Sequence, residues 1–416
     1  MVILMSKKFG NNAVVGQSGG PTSAINASLA GIISAALSSD GIGVLYGMLN
    51  GIDGMQKEKL YCLNDIFSEA MDNIELLKYT PGAALGSCRF KLPAPDKDSE
   101  FYEKLFRLFE KYGIGYFFYI GGNDSMDTTA KISAYAEKND IDIKVIGVPK
   151  TVDNDLFGTD HTPGFGSAAK FVATTFAELS RDTAVYSQKC VTIVEVMGRD
   201  AGWLTAASVL AVTDSTDGPD LIYLPEFPFS YEACFSDIEK IWERHPDILI
   251  AVSEGVRLAD GTYLGADASK TDKFGHVQLS GAAKTLENRI KERFGCKVRS
   301  VELNTPQRCG AHNASLTDIT EAFGVGEFAV KCALEGNSGV MAGIYRISDQ
   351  PYRSEYRMCN VSEIANRVKC VPPDFINESG NYITPKGINY LRPLIEGECA
   401  LPYKNGIPVH FRFKRI

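Results

Sequence analysis

Short apolar runs alternate with glycine-rich or polar turns along much of the chain, and several turns lead into patterns typical of helices. The apolar runs are Ala13–Gly16, Tyr116–Ile120, Val145–Val148, Val191–Val196 and Ile248–Val252, followed in turn by QSGGPTSAIN, GGNDS, PKTVDND, MGRDAGW and SEGVR. Strands that alternate with helices predict parallel sheets covered on both faces. Because ligands bind at the carboxyl ends of such strands, we expect these turns to converge.

Two helices are predicted directly after such turns. Pro21 suits the first turn of one helix, and Thr22 or Ser23 can cap it. The second helix is predicted over Asp127–Tyr135. One face of the first helix recurs at spacings of four, three and four residues, at Ile25, Leu29, Ile32 and Ala36.

The length and charge of the chain narrow the classes of function. Its 416 residues favour two α/β lobes over one core. The formal net charge is −8, and there is no basic tract of five residues, which argues against binding to nucleic acid. A net negative protein binds phosphorylated ligands only where clustered Arg and Lys reverse the local field, so cations beside the turns are expected.

Cysteine, histidine and apolar content indicate a reducing compartment. Ten cysteines include no CxxC pair and five histidines lack ligand spacing, which favours free thiols and argues against zinc. The apolar residues at positions 1–5 precede Lys7 and Lys8, whereas in a secretory signal the positive charges precede the apolar residues. No apolar run approaches the roughly 20 residues that cross a bilayer. We therefore expect a cytoplasmic protein that does not bind membranes.

Paired glycines between a strand and a helix occur twice. Gly19 and Gly20 would expose backbone amides to an anion, although glycines also serve simply to make a tight turn. The turn at 121–125 has the same arrangement, and Asp124 or Ser125 there is equally an ordinary helix cap. A carboxylate facing a phosphate requires a cation between them. Asp124 therefore indicates either that Mg²⁺ or another cation lies nearby, or that no phosphate binds at this turn.

Residues 149–155, PKTVDND, follow an apolar run and combine a lysine, a hydroxyl group and carboxylates. Phosphoryl transfer to a hydroxyl group needs a base, a cation for the developing charge and a group that positions them. Lys150, Thr151 and Asp153 are residues of these types. The alternative is a solvated turn, which the preceding apolar run disfavours.

The remaining candidates lie beside glycines or at predicted strand ends. Arg199, in MGRDAGW, has room for a bidentate phosphate contact, or it pairs with the next aspartate to fix a helix entry. Glu254 is suited to accept hydrogen bonds from sugar hydroxyls, or it is an ordinary acid at a helix start. The other candidate cations are Arg89, Arg299 and Arg308.

Taken together and in this order, the motifs resemble the phosphofructokinase family over roughly residues 12 to 315. The resemblance implies an α/β fold of two Rossmann-like lobes with mainly parallel sheets and a C-terminal extension. It implies a donor lobe at 1–165, a sugar-phosphate lobe at 166–305, and a segment returning to the donor lobe, with the extension, at 306–416. Fructose 6-phosphate would lie between the lobes and Mg²⁺ at the donor.

Residue roles follow from the same resemblance. Asp153 would take the proton from the 1-hydroxyl of the sugar, and Thr151 would position the reacting phosphoryl group. Lys189 resembles a residue that reaches into a neighbouring subunit's site, which implies a homodimer or homotetramer. The implied catalytic residues are Asp153, Lys150, Asp124, Thr151 and Arg199; those for pyrophosphate are Gly19, Gly20, Arg89 and Ser125; those for the sugar phosphate are Thr151, Asp153, Lys189, Met197, Gly198, Arg199, Glu254, Arg299, Gln307 and Arg308; those for the metal are Asn123, Asp124 and Asp155.

The members of that family that use ATP carry the motifs GGDGS and PGTIDND. This chain departs from both motifs, and the two departures indicate which phosphoryl donor it uses. Asp124 and Lys150 replace glycines, so aspartate would fill the space of a nucleotide's α-phosphate and repel it. Lys150 is expected to pair with Asp124. The combination resembles the pyrophosphate-dependent branch, whose reaction reversibly converts pyrophosphate and fructose 6-phosphate to phosphate and fructose 1,6-bisphosphate.

Other departures leave alternatives open. Asn123 replaces the family's metal-contacting aspartate, so pyrophosphate with Asp124 or Asp155 would hold most of the Mg²⁺. Residues 304–308 read NTPQR instead of GHxQR or GYxxR. The alternatives are ATP as the donor, sedoheptulose 7-phosphate as the acceptor, and an inactive regulatory subunit, against which the complete TVDND run argues.

Overall fold

The computed structural model describes residues 7–68, 72–185, 187–271, 277–279, 281–364 and 367–414. The strands are β1 (Lys7–Lys8), β2 (Asn12–Gln17), β3 (Leu45–Met48), β4 (Leu60–Cys62), β5 (Ile114–Gly121), β6 (Ile141–Asp142), β7 (Lys144–Pro149), β8 (Cys190–Val196), β9 (Leu221–Tyr223), β10 (Asp247–Ser253), β11 (Ala266–Thr271), β12 (Val277–Leu279), β13 (Lys297–Glu302), β14 (Val340–Asp349), β15 (Tyr352–Asn360), β16 (Tyr403–Lys404) and β17 (Ile407–Pro408). The α-helices are α1 (Ile25–Leu37), α2 (Gly51–Gln56), α3 (Leu63–Phe67), α4 (Asp72–Lys78), α5 (Ser99–Lys111), α6 (Asn123–Lys138), α7 (Phe165–Thr183), α8 (Trp203–Ala206), α9 (Tyr231–Ile241), α10 (Ala282–Phe294), α11 (Pro306–Cys309), α12 (Leu316–Leu334) and α13 (Pro385–Leu391).

Two sheets organise the molecule. Within the described residues, the larger sheet has the strand order β15-β14-β7-β5-β2-β3-β4, and the smaller has the order β13-β8-β10-β9. Strands β14, β7, β5, β2 and β3 are parallel, as is the whole smaller sheet, whereas β15 and β4 are antiparallel edges. The prediction of an α/β fold with mainly parallel sheets is therefore confirmed.

The chain leaves the larger sheet and later returns to it. The smaller sheet is built only from strands between 190 and 302, and β14 and β15 then return to the larger one. The proposed lobe boundaries at 165 and 305 fall at the starts of α7 and α11. We call the larger-sheet lobe the donor lobe and the smaller-sheet lobe the sugar lobe, after the roles that the resemblance implies.

Helix α1 buries the predicted apolar face, but it begins later than expected. It starts at Ile25, so Pro21 lies before the helix rather than in its first turn. The Thr22 hydroxyl accepts a hydrogen bond from the backbone N–H of Ile25 at 2.9 Å. Helix α12 packs so closely against α1 that a Cβ atom at Gly31 would collide with the Phe323 carbonyl, which explains why α1 is buried beyond its predicted face.

Helix α6 begins four residues before the predicted start. Asn123 is its first residue and Gly122 occupies the N-cap position. Asp124 and Ser125 therefore lie in the first helical turn rather than at the cap. Among the described residues, no helix has both the length and the apolar character needed to span a membrane.

The C-terminal segment packs into both lobes. Phe375, Leu391 and Leu394 join the apolar core beneath the smaller sheet. Phe413 joins the core of the larger sheet, and its ring stacks on Tyr61 with 4.8 Å between centroids. The extension is thus part of the folded core.

A buried histidine connects the loop after β7 to α12. His161 places Nδ1 2.8 Å from the Asp160 carboxylate and Nε2 2.6 Å from the Glu321 carboxylate. Burial alone would lower the pKa of His161, but the charges of Glu321 and Asp160 and their hydrogen bonds outweigh it and raise the pKa to about 9. Burial would raise the pKa of Asp160, but His161 and Arg346 lower it to about 2.

This cluster predicts a pH-dependent stability. Because the pKa of folded His161 exceeds its ordinary value, its stabilisation is complete below pH ~6.5 and is lost as the pH rises through about 9. The lowered pKa of Asp160 adds stabilisation above pH ~4 that is lost towards pH 2. The difference in free energy of unfolding between wild type and His161→Gln should therefore be up to ~3 kcal/mol larger at pH 6 than at pH 9.5.

Denaturant unfolding at the two pH values measures that difference. The matched control is His245→Gln, because His245 is more exposed and also lies beside two carboxylates, Asp220 and Asp247. Its replacement should change stability by less than ~1 kcal/mol at either pH. A His161→Gln penalty that is the same at both pH values would contradict the prediction.

Candidate active site

Three turns at the carboxyl ends of the larger sheet are hydrogen-bonded to one another. The hydroxyl groups of Ser18 and Ser125 lie 2.5 Å apart and join the turns after β2 and β5. The Lys150 backbone N–H donates to the Gly121 carbonyl at 2.9 Å, and its ammonium donates to the Gly20 carbonyl at 2.6 Å. Lys150 therefore fixes the turn after β7 against the other two.

The paired glycines of the first turn bring backbone close to cations. Gly19 has a φ of +75°, and a Cβ atom there would lie 3.2 Å from the Lys150 ammonium nitrogen. A Cβ atom at Gly20 would lie 3.4 Å from a guanidinium nitrogen of Arg308. Side chains at these positions would fill the space between the backbone and the cations, so glycine keeps that space open for an anion.

Lys150 is buried among charges of both signs. Burial lowers the pKa of its ammonium group to about 8; the carboxylates of Asp153 and Asp155 oppose the shift, and the guanidinium groups of Arg308 and Arg89 add to it. Lys150 is thus still mostly protonated at neutral pH. A poorly hydrated cation beside glycine amides suits a compact, highly charged anion.

The pKa of Asp153 is influenced by charged groups from both lobes. Burial raises its pKa to about 7, Asp155 and Glu254 add to the increase, and Lys150 and Arg199 oppose it. Its backbone N–H donates to the Thr151 hydroxyl at 3.1 Å. A carboxyl group with a pKa near neutrality can accept a proton more effectively than an ordinary aspartate.

The turns of the sugar lobe are ordered by two polar side chains. The Glu254 carboxylate accepts a hydrogen bond from the Gly198 N–H at 3.2 Å, and the Gln307 side-chain oxygen accepts one from the Met197 N–H at 3.2 Å. Gln307 is buried. The turn after β8 is therefore held against the turns after β10 and β13.

Arg199 does not form the helix-entry pair considered as an alternative. The neighbouring Asp200 is paired with Arg257 at 2.9 Å instead. Within the described chain, Arg199 forms no ion pair, although its charge opposes the increase that burial causes in the pKa of Asp153 and of Glu254. Its guanidinium group is accordingly available to a phosphate.

Arg89 borders an open cleft beside the first glycine turn. The Gly19 N–H donates to the Cys88 carbonyl at 3.2 Å, and the Ser87 hydroxyl donates to the Gly19 carbonyl at 2.5 Å. The cleft has a volume of about 370 Å³. It is lined by Asn50, Asp53, Ser87, Cys88, Arg89 and Phe90.

The residues suit a magnesium ion that is shared with a substrate. The described residues contain no group of three His, Cys, Asp or Glu side chains that could hold a metal by themselves. The Asn123 side-chain oxygen, however, is buried and has no hydrogen-bond partner. Mg²⁺ commonly takes one or two protein oxygens together with substrate phosphates, so this orphaned oxygen fits such an ion.

Comparison with known proteins decides the family. The model of the family described as Phosphofructokinase matches residues 12–333. The chain belongs to the phosphofructokinase family. The pyrophosphate–fructose 6-phosphate 1-phosphotransferase of Halomonas elongata is 44% identical over 404 residues, covering 96% of this chain and 95% of that relative.

Two further similarities also extend over most of the chain. The sulfofructose kinase of Alkalicoccus urumqiensis is 35% identical over 371 residues, covering 88% of this chain and 92% of that relative. The crystal structure of a pyrophosphate-dependent phosphofructokinase from Nitrosospira multiformis has a TM-score of 0.88 at 39% identity, covering 98% of this chain and 97% of that one.

The predicted pairing of Lys150 with Asp124 is wrong for this phosphofructokinase in the described state. The Lys150 ammonium donates to the Gly20 carbonyl, and no Lys150–Asp124 ion pair is found in the described residues. Asp124 is exposed. The physical reason is the early start of α6, which places Asp124 on the first helical turn facing solvent while Lys150 stays buried.

Arg299 and Arg308, both expected among the residues that bind the sugar phosphate, are not neighbours within one chain. Arg299 pairs in register with Thr192, five residues before Met197, so it lies roughly 16 Å of strand from the turn after β8. Lys189 is also at that far end, with its ammonium 4.8 Å from the Trp242 ring centroid. Both residues are exposed.

Arg308 instead lies at the donor turns. Its guanidinium group approaches Gly20 and lowers the pKa of Lys150. One of its nitrogens, Nε, is buried without a hydrogen-bond partner. The role of Arg308 at a sugar phosphate stays a prediction, whereas its contribution to positive charge beside the glycines is described by the structure.

Sequence reasoning missed Lys369, which contacts the loop after β7. Its backbone N–H donates to the Asp155 carbonyl at 2.8 Å. In the sequence, this position stands out only as a lysine within the apolar run VKCVPP. Many surface lysines lie beside apolar residues, so this pattern does not indicate a function. The contact joins residues more than two hundred positions apart, so no local pattern could reveal it.

Proposed function

We propose that this chain reversibly transfers a phosphoryl group between pyrophosphate and the 1-hydroxyl of fructose 6-phosphate. The observation that carries the proposal is the buried ammonium of Lys150, which lies between the paired glycines and the carboxylates of Asp153 and Asp155. The ATP-using pattern has glycine at this position. The curated relative from Halomonas elongata is named for the same two substrates.

Pyrophosphate is favoured over ATP as the donor by space and charge at two positions. Lys150 places a cation where two phosphates can reach it, and Asp124 places a carboxylate at the start of α6 on the same side of the sheet. A longer, more negative nucleotide chain would have to pass that carboxylate. Charge-assisted hydrogen bonds contribute about 1.5–3 kcal/mol each, so one such bond from Lys150 favours the smaller donor at least tenfold.

The proposed chemistry begins with a proton transfer to Asp153. As the 1-hydroxyl loses its proton to the Asp153 carboxylate, its oxygen attacks the nearer phosphorus of pyrophosphate, and the bridging P–O bond breaks to release phosphate. Lys150 and Arg199 stabilise the charge that develops on the transferring group. Thr151 positions this group through the turn that it shares with Asp153.

A magnesium ion would be held by the side-chain oxygens of Asn123 and of Asp124 or Asp155 together with the pyrophosphate. When bound, it supplies further neutralisation of the phosphate charge. The protein residues described above still account for proton transfer, orientation and the exclusion of a nucleotide.

Sugar-phosphate binding would combine residues of one chain with those of a second copy. Met197, Gly198 and Glu254 form a polar turn suited to sugar hydroxyl groups. Lys189 and Arg299 lie together at the other end of the smaller sheet, where they cannot reach this turn in their own chain. We propose that they contact the 6-phosphate in the site of a neighbouring copy, in a homodimer or homotetramer.

The direct test measures phosphate release with fructose 6-phosphate, pyrophosphate and Mg²⁺ in the absence of nucleotides. We expect one phosphate released for each fructose 1,6-bisphosphate formed, and we expect ATP to be a poor donor in a parallel assay. Sedoheptulose 7-phosphate and sulfofructose as acceptors test the alternative substrates. Faster turnover with ATP than with pyrophosphate would overturn the proposal.

A further inference from the structure

Residues 367–371 of the C-terminal segment, which we call the strap, lie beyond the region matched by the family model and connect the two lobes at the candidate active site. Their sequence is RVKCV. Phe375 and Leu391, further along the chain, are anchored in the core of the sugar lobe. The strap is therefore tethered to one lobe while it contacts the other.

The strap binds the donor lobe directly behind the catalytic turn. Val368 forms an isolated antiparallel bridge with Leu156, and the Lys369 N–H donates to the Asp155 carbonyl at 2.8 Å. The Lys369 ammonium donates to the carbonyls of Asp160 and, at 3.4 Å, of Thr159. One lysine thus fixes both ends of the loop that begins with Asp153.

The same lysine contacts the sugar lobe. Its carbonyl accepts a hydrogen bond from the Trp203 indole N–H at 2.8 Å, and its ammonium lies 5.0 Å from the centroid of the Trp203 ring. The Val371 N–H donates to the Glu226 carboxylate at 2.9 Å, which also accepts from the Gly202 N–H at 2.9 Å. Gly202 and Trp203 directly follow the turn that carries Met197 and Arg199.

We propose that Lys369 is a positioning residue that holds the Asp153 loop of the donor lobe and the Arg199 turn of the sugar lobe at the separation needed for phosphoryl transfer. The inference rests on the proposed function, since it assigns these two turns to opposite sides of one reaction. Lys369 does not need to touch either substrate. It acts through its hydrogen bonds with Asp155 and Trp203.

A lysine suits this position because one residue supplies four types of contact. Its backbone N–H and carbonyl bridge the lobes, its ammonium binds carbonyls of the donor lobe, and the same charge lies over an aromatic ring of the sugar lobe. An apolar replacement keeps the backbone bonds but loses the two contacts of the ammonium. The lobes would stay folded while their relative position becomes less restrained.

The test compares Lys369→Met and Lys369→Arg with a matched control, Lys386→Met. Lys386 lies in the same C-terminal segment but is exposed and is paired with an exposed carboxylate, that of Asp374. We expect Lys369→Met to lower kcat about 10–100-fold, because a displacement of about 1 Å between reacting groups can cost a factor of that size. The KM values should change less than about 3-fold, Lys369→Arg should recover part of kcat, and the control should match wild type.

Tryptophan fluorescence adds a readout that does not depend on turnover. The chain has two tryptophans, so Trp242→Phe leaves Trp203 as the only one. In this background Lys369→Met should shift the Trp203 emission, whereas Lys386→Met should not. A melting temperature within a few degrees of wild type would show that the variant is folded.

The outcomes separate this inference from the proposed function. Wild-type kcat in Lys369→Met, or a loss of activity that only follows the loss of folded protein, would overturn the positioning role. Failure of the unaltered chain to use pyrophosphate would instead overturn the proposed function, and the Trp203 emission of Lys369→Met would still report whether the lysine restrains the sugar lobe. An unchanged emission in that variant counts against the inference in either case.

Discussion

Asp153→Asn is expected to lower kcat for the pyrophosphate-dependent reaction by about 10²–10⁴-fold with little change in either KM. Asparagine keeps the shape of the side chain and can preserve the backbone contact with Thr151, but it cannot accept the proton of the sugar hydroxyl. The reverse reaction should fall by a similar factor, because the same carboxyl group must return that proton. Initial rates in both directions measure the effect.

The matched control for this change is Asp127→Asn. Asp127 lies in α6 and is paired with Lys131 one turn further along the same helix. Its replacement should leave kcat within about 3-fold of wild type, because an i,i+4 ion pair contributes only ~0.5 kcal/mol. Near-normal turnover in Asp153→Asn would reject Asp153 as the base.

Lys150→Gly should lower kcat with pyrophosphate by about 10²–10³-fold, the effect of removing one preorganised group that stabilises transition-state charge. The structure separates this role from that of Asp124, because the two side chains do not pair. Asp124→Gly alone should therefore lower kcat with pyrophosphate less than Lys150→Gly does, while it lets ATP react. The double variant should use pyrophosphate poorly and accept ATP.

Parallel kinetics with the two donors test this division of roles. Lys131→Met serves as the control, because it removes a lysine that lies on α6 and is paired with Asp127 on the same helix. If the double variant kept the donor preference of wild type, our account of donor choice would be wrong. If Lys150→Gly had normal pyrophosphate kinetics, the buried ammonium would have no part in the chemistry.

The sequence is sufficient to predict the position of the site because the information is local. Strand, turn and helix follow one another within about twenty residues, and parallel topology then collects the turns at one edge. The order of the motifs along the chain therefore places Gly19, Lys150 and Asp153 near each other. The hydrogen bonds that join these turns confirm that they meet.

Side-chain direction could not be predicted in the same way. The partner of Lys150 depended on the residue at which α6 begins, and helix ends are set by a few competing hydrogen bonds. The separation of Arg299 from Arg308 depended on the path of the chain between them, because Arg299 lies in β13 and Arg308 lies in α11 beyond the carboxyl end of that strand. Lys369 depended on the path of a segment whose periodicity is weak, so only the folded chain reveals its contacts.

The return of the C-terminal segment to the larger sheet has a consequence for biosynthesis. The core of that sheet contains both Ala13 and Phe413, so it cannot be completed until residue 413 has left the ribosome. The strands of the smaller sheet come from residues 190–302 only and can pair while translation continues, but Phe375, Leu391 and Leu394 complete the core beneath them. Neither lobe should therefore acquire full protease resistance until the C-terminal segment has been synthesised.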